Sequence, residues 1–130
     1  MFPKFNKKRL LTDECEIFFV EKGKGTPVVL LHGFPQTHSM WADVAPLFRD
    51  TYHVICPDLR GYGQSGKPEG YENYTFRKMA KDVISILKHL NIEKKAHIIG
   101  HDRGARVAYR LAIDHPELVS SVMLMDIVPT

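Results

Sequence analysis

The chain has 130 residues, of which 44% are hydrophobic and 25% charged, with a net charge of +3. That length and composition suit one ordinary globular domain and exclude a disordered or low-complexity chain. Basic residues are dispersed rather than gathered in a run interleaved with aromatics, so no nucleic-acid partner is expected.

At the start, "MFPKFNKKRLLTDE" has basic residues but no long apolar run behind them, so neither a secretory leader nor a membrane span is expected. A soluble, cytoplasmic protein is the expectation. Cys15 and Cys56 each sit in an apolar run without C-x-x-C spacing, which predicts buried reduced thiols rather than a disulfide or a zinc site. From Cys15, "CEIFFVEKGKG" alternates as a half-buried strand does, and "PVVLLHGF" is a continuous apolar run suited to a sheet covered on both faces. Together they predict an opening hairpin or meander followed by a central strand. The stretch "HSMWADVAPLF" places Met40, Val44 and Leu47 at helical spacing, and "HVICPDL" returns to a short strand before a glycine-rich loop.

The clearest helix is "TFRKMAKDVISILKHLNI", with Met79, Val83, Ile86, Leu87 and Leu90 on one face and Thr75 as N-cap. A strand, "AHIIGHD", follows, then a helix from about Gly104 to His115 closed by Pro116, then the apolar run "SVMLMDIV". Strand–helix alternation of this kind predicts a mostly parallel α/β sheet with helices on both faces. No linker or repeat divides residues 1–130, which read as one domain. Because "MDIVPT" comes directly after a strand, with nothing to cover it, the expectation is a part of a larger sheet protein.

Two patterns are decoys. "GYGQSG" fits G-x-G-x-x-G after a strand, but Lys67, Pro68, Glu69 and Gly70 continue the loop where a dinucleotide site needs a helix N-terminus, so a flexible loop is expected. His97 and His101 are four apart in a strand, hence ~13 Å from each other, too far to share a metal. No metal or other cofactor is expected. His32 is read as a strand-end histidine whose ring satisfies backbone groups.

"GHDRG", Gly100 to Gly104, has the form G-x-nucleophile-x-G at a strand-to-helix junction. Small flanking residues let the chain turn sharply and lift the middle side chain above the sheet, and the helix N-terminus favours negative charge there. Asp102 is therefore a candidate anionic nucleophile. The competing reading makes it a plain helix N-cap.

With "LLHGFPQTHSMW", "VICPDLRGYGQS", "IIGHDRGARVAYRLA" and "LMDIVPT" in this order, the chain resembles the N-terminal half of an α/β-hydrolase core. It is most similar to the haloacetate (fluoroacetate) dehalogenases and, more distantly, to haloalkane dehalogenases and epoxide hydrolases. The resemblance implies Asp102 as nucleophile, and the backbone N–H groups of Phe34 and Arg103 as an oxyanion hole. It also implies Asp126 as the acid that orients a histidine base, and Arg103 with Arg106 as a clamp for a substrate carboxylate, with the Phe34 side chain against the pocket. Guanidinium forks suit a carboxylate geometrically. The competing readings are a solvated basic helix face for the arginines and a strand-end turn for Asp126. Arg110 is read as surface.

None of the seven histidines falls at the late position of the family's base, and the cap and the C-terminal core elements of the family are not in these residues. Two readings follow from the resemblance. In one, the chain is part of a hydrolase that displaces halide from a small 2-haloacid, or opens an epoxide, through a covalent ester. In the other it is a non-catalytic remnant or interaction module. The partner implied is a small-molecule substrate, with a homodimer open for full-length relatives.

Overall fold

The computed structural model describes residues 2 and 4–126. In chain order it forms β1 (Asn6–Leu11), β2 (Glu16–Lys22), β3 (Pro27–Leu31), β4 (His53–Pro57), α1 (Phe76–His89), β5 (Ala96–His101), α2 (Arg103–Asp114) and β6 (Val119–Met125). The strands make one sheet in the order β1-β2-β4-β3-β5-β6. From β4 to β6 the pairing is parallel, whereas β2 runs antiparallel to both β1 and β4.

Alternation along the strands sorts the core. Ile17, Phe19, Val29, Leu31, Ile55 and Ile98 face α1 and α2 and pack on Met79, Val83, Ile86, Val107 and Leu111. Phe18, Val20, Val28, Leu30, Val54 and Cys56 face the other way, onto Phe5, Trp41 and Ala45. With both faces covered, all five residues of β3 are buried, which is why its sequence is uniformly apolar. Helix α1 begins at its expected cap: Thr75 Oγ1 accepts from the Lys78 N–H at 3.2 Å. Cys15 and Cys56 are free thiols, the first half-buried and the second buried. Among the described residues no helix is long and apolar enough to cross a membrane.

Three local expectations are corrected. The hairpin that opens the sheet is β1 with β2, joined by a turn in which the Thr12 N–H donates to the Cys15 carbonyl at 2.9 Å. Strand β1 escapes a hydrophobicity reading because "NKKRLL" carries three basic residues; such charge suits an edge strand, which must not recruit another chain. The helix expected over residues 38–48 is two short 3₁₀ turns, His38–Trp41 and Ala45–Leu47. Pro46 supplies no N–H and restricts the residue before it, so a continuous α-helix cannot pass. Helical coverage of the second face is therefore 3₁₀. Leu47 is left 78% exposed instead of facing the core.

The third correction concerns "GYGQSG", which is not a slack loop. It wraps a buried carboxylate: Asp58 Oδ1 accepts from the His38 N–H at 2.7 Å and meets His38 Nδ1 at 2.8 Å, while Oδ2 accepts from the Gln64 N–H at 2.9 Å. Gly63, at φ +52°, allows this closure, because a Cβ there would strike the Asp58 carboxylate. Ser65 Oγ donates to the Asp58 carbonyl at 2.6 Å and accepts from the Phe18 N–H. Beside it Arg60, 2% exposed, makes a two-pronged contact with Asp82 of α1 at 2.7 and 2.8 Å and a third bond to Glu14.

Candidate active site

The sheet order places a crossing point between β3 and β5. From β3 the chain steps outward to β4, then returns across the sheet through α1 to β5 and continues to β6 on the other side. In open α/β sheets the crevice at the carboxyl ends of such a strand pair is where ligands bind. Parallel register Leu31↔Gly100 brings the loops after the two strands together there, so that Phe34 and Asp102, 68 residues apart, become neighbours.

Asp102 stands alone between strand and helix, at φ +54° and ψ −115°. For a residue with a Cβ this is a strained backbone, costing on the order of 1–3 kcal/mol. Surrounding bonds hold it: the Asp102 N–H donates to the Met125 carbonyl at 3.0 Å, and its own carbonyl accepts from the Ala105 and Arg106 N–H groups. The flanking glycines matter for space. A Cβ on Gly100 would collide with the backbone of Gly104, and one on Gly104 with the carbonyls of Leu31 and His32. Likewise a Cβ on Gly33 would meet Asp102.

Asp102 occupies the N-cap position of α2, but its side chain makes no capping hydrogen bond there. Its Oδ2 accepts from the Phe34 N–H at 3.0 Å instead. That bond, foremost, with the nearness of the Arg103 backbone and guanidinium, outweighs partial burial and holds the Asp102 carboxyl below the usual aspartate range. Of the two N–H groups expected to form an oxyanion hole, that of Phe34 lies on Asp102 Oδ2.

Phe34, Asp102, Arg103 and Arg106 line an open cleft of about 400 Å³, together with Phe76 from the first position of α1. Arg103 and Arg106, three apart, project from the same side of α2. They differ from other arginines of the molecule. Arg9, Arg60, Arg77 and Arg110 each pair with a carboxylate, whereas Arg103 and Arg106 form no ion pair with any carboxylate among the described residues. Instead the Arg103 guanidinium lies over the Phe34 ring, its carbon 5.8 Å from the centroid.

Asp126 is not in the cleft lining. It sits just past β6 at φ +60°, with its side chain 77% exposed, and its Oδ2 lies 2.6 Å from His101 Nε2. His97, the other half of the suspected metal pair, takes a different β6 partner, Ser121, at 2.6 Å. Among the described residues no group of three or more His, Cys, Asp and Glu is placed to hold a metal ion. The segment after Asp126, residues 127–130, lies outside the described residues.

His32 behaves as expected of a strand-end histidine. Its Nε2 accepts from the Leu59 N–H at 2.9 Å, leaving Nδ1 to donate to the Gly33 carbonyl at 3.0 Å, and burial pushes its pKa down, so it is neutral. Two cleft neighbours escaped the sequence reading. Tyr62 packs edge-on between His32 and Phe34, and Phe76 forms the wall toward α1. Tyr62 was hidden in a glycine pattern read only for its glycines; Phe76 carries no sequence signal at all.

Comparison with known proteins agrees with this fold. The family described as alpha/beta hydrolase fold matches residues 26–130. The fluoroacetate dehalogenase of Burkholderia sp is 46% identical over 133 aligned positions, covering 100% of this chain and 43% of the relative. The soluble epoxide hydrolase of Corynebacterium sp. (strain C12) is 42% identical, over 85% of this chain and 38% of the relative. Among solved structures, the α/β hydrolase ALR0039 of Nostoc sp PCC 7120 superposes with a TM-score of 0.94 at 45% identity, covering 99% of this chain and 45% of that one. The chain thus spans less than half the length of the curated relatives it matches. With an aspartate on the strained turn between β5 and α2, and a family match running from β3 to the end of the sequence, the chain belongs to the α/β-hydrolase fold family.

Proposed function

We propose that this chain carries the nucleophilic half of a hydrolase that displaces halide from a small 2-haloacid. One observation carries the reading: the cleft holds an anionic Asp102 beside two arginines that no described carboxylate neutralises. A lone carboxylate opening would repel an anionic substrate. Two guanidinium groups reverse that field and present paired donors to a carboxylate.

The mechanism follows from which oxygen is engaged. Oδ2 is held by the Phe34 N–H, which leaves Oδ1 as the nucleophile. With the substrate carboxylate on Arg103 and Arg106, Oδ1 attacks the carbon bearing the halogen in line with the carbon–halogen bond. That bond breaks, halide leaves with the electron pair, and an ester of Asp102 remains. Hydrolysis requires water to attack the ester carbonyl, with charge gathering on Oδ2 against the Phe34 N–H, and the Arg103 N–H as the second donor of the proposed hole. The attacking water must lose a proton to a base. Phe34, Phe76, Arg103 and Arg106 offer none, so the described cleft supports alkylation rather than turnover. Asp126 is assigned to orient a histidine base supplied by further chain, as the acid of a triad does.

The test is mass spectrometry of the intact chain after incubation with chloroacetate, followed by peptide mapping. The expected outcome is one ester, on Asp102, absent from Asp102→Asn. An ester elsewhere, or none, defeats the assignment. A second reading rests on the similarity to the Corynebacterium epoxide hydrolase: the same Asp102 would open an epoxide ring. A terminal epoxide labelling Asp102 faster than chloroacetate does would favour that reading.

A further inference from the structure

Phe34 makes two separable contacts. Its N–H holds Asp102 Oδ2, while its ring, on a residue 62% exposed, lies beneath the Arg103 guanidinium. The ring is itself located. Tyr62 meets it edge to face, with centroids 6.4 Å apart, and Tyr62 meets the His32 imidazole in the same manner at 5.1 Å. His32 is bonded at both ring nitrogens. A row of ring contacts therefore runs from a fully buried residue outward to a cation at the cleft mouth.

The chemistry of that last contact is selective. An arginine that binds an anion must be held in place, since its long side chain otherwise loses rotamer freedom on binding. A carboxylate partner would hold it but would consume its charge and its paired donors. An aromatic face within about 6 Å attracts the guanidinium through the ring quadrupole and leaves the donors, which lie in the guanidinium plane, free for a ligand. The geometry points to the Phe34 ring as the positioning residue for Arg103, and hence as a determinant of preference for carboxylate-bearing over neutral substrates. This inference rests on the reading of the cleft as a carboxylate site.

The test uses Phe34→Leu, which keeps the N–H and removes the ring, and Phe34→Tyr, which restores the ring face. Acetate is titrated into each chain while the Arg103 Nε–H resonance is followed by NMR, and labelling of Asp102 by chloroacetate is compared with labelling by neutral chloroacetamide. In Phe34→Leu acetate is expected to bind about fivefold more weakly, and the chloroacetate-to-chloroacetamide labelling ratio to fall by about the same factor. The loss should appear as a higher half-saturating chloroacetate concentration more than as a lower maximal rate. Phe34→Tyr recovers both.

Acetate affinity within about 1.5-fold of the parent in Phe34→Leu overturns the inference, as does an equal loss with chloroacetate and chloroacetamide, since a cation–π contact of ordinary strength exceeds that margin. A parent chain that binds acetate at Arg103 but is never alkylated defeats the displacement chemistry, and the acetate arm alone then decides the role of Phe34. A parent that binds no acetate overturns both.

Discussion

Two aspartate–arginine clusters sit at the carboxyl ends of β4 and β5, the strands on either side of β3, and they are built to opposite ends. After β4, Asp58 and Arg60 are buried and every charged atom faces a partner: His38 and Gln64 for Asp58, Asp82 and Glu14 for Arg60. After β5, Asp102, Arg103 and Arg106 face an open cleft, with Asp102 held by the Phe34 N–H and the arginines joined to no described carboxylate. Residue type and glycine-rich setting are nearly the same. What separates a closed cluster from one open to a ligand is whether the charges are consumed within the fold.

Removing a charge from each cluster should separate them most sharply. Arg60→Ala would strand the buried Asp82 carboxylate and the Glu14 contact, and should cost about 3–5 kcal/mol. The corresponding Arg106→Ala, on an exposed side chain without an ion partner among the described residues, should stay within about 0.5 kcal/mol. Urea unfolding of the two variants measures the difference, and similar losses would erase the distinction drawn between the clusters.

A smaller effect is expected where the open cluster meets the core. Gly104→Ala puts a methyl group against the carbonyls of Leu31 and His32, and overpacking of this kind costs about 1–3 kcal/mol. Thermal unfolding reads that loss. Because the same backbone sets the Phe34–Asp102 contact, labelling of Asp102 should fall as well; unchanged labelling would show that the turn tolerates displacement.

The smallest effect concerns acid. The Phe34 N–H, foremost, holds the folded pKa of Asp102 below its unfolded value. Its contribution to stability is therefore present above the ordinary aspartate range and lost as pH falls through the depressed folded value. An NMR titration of the Asp102 carboxyl carbon should give a midpoint below the ordinary value of about 3.9. A midpoint at or above it would contradict the bond.

How far the sequence alone reaches depends on whether the deciding contact is local. Helix α1 was legible because its cap, Thr75, and its apolar stripe are written within a few residues of each other. β3 and β5 were legible from apolar runs, and Asp102 from glycines two residues to either side. β1 was not, since a basic edge strand has no apolar stripe, and Pro46 counted for less in the reading than the spacing of Met40, Val44 and Leu47. Nor could local pattern reveal the Phe34–Asp102 bond, which depends on the register of β3 against β5, or the pairing of His101 with Asp126 across β5 and β6. The side chains around Asp102 came from resemblance, and the geometry brought Phe34, Arg103 and Arg106 together while leaving Asp126 outside the cleft lining, paired with His101.

In the resting chain the Phe34 N–H already points at a full negative charge. Alkylation of Oδ1 in the proposed reaction would take that charge away, leaving the Phe34 N–H facing a neutral ester carbonyl; attack by water would return it. This strand-end donor thus favours the first and last charge states over the one between. A fold arranged this way gives its covalent intermediate no special shelter, and tends to push it onward to hydrolysis wherever a base is at hand.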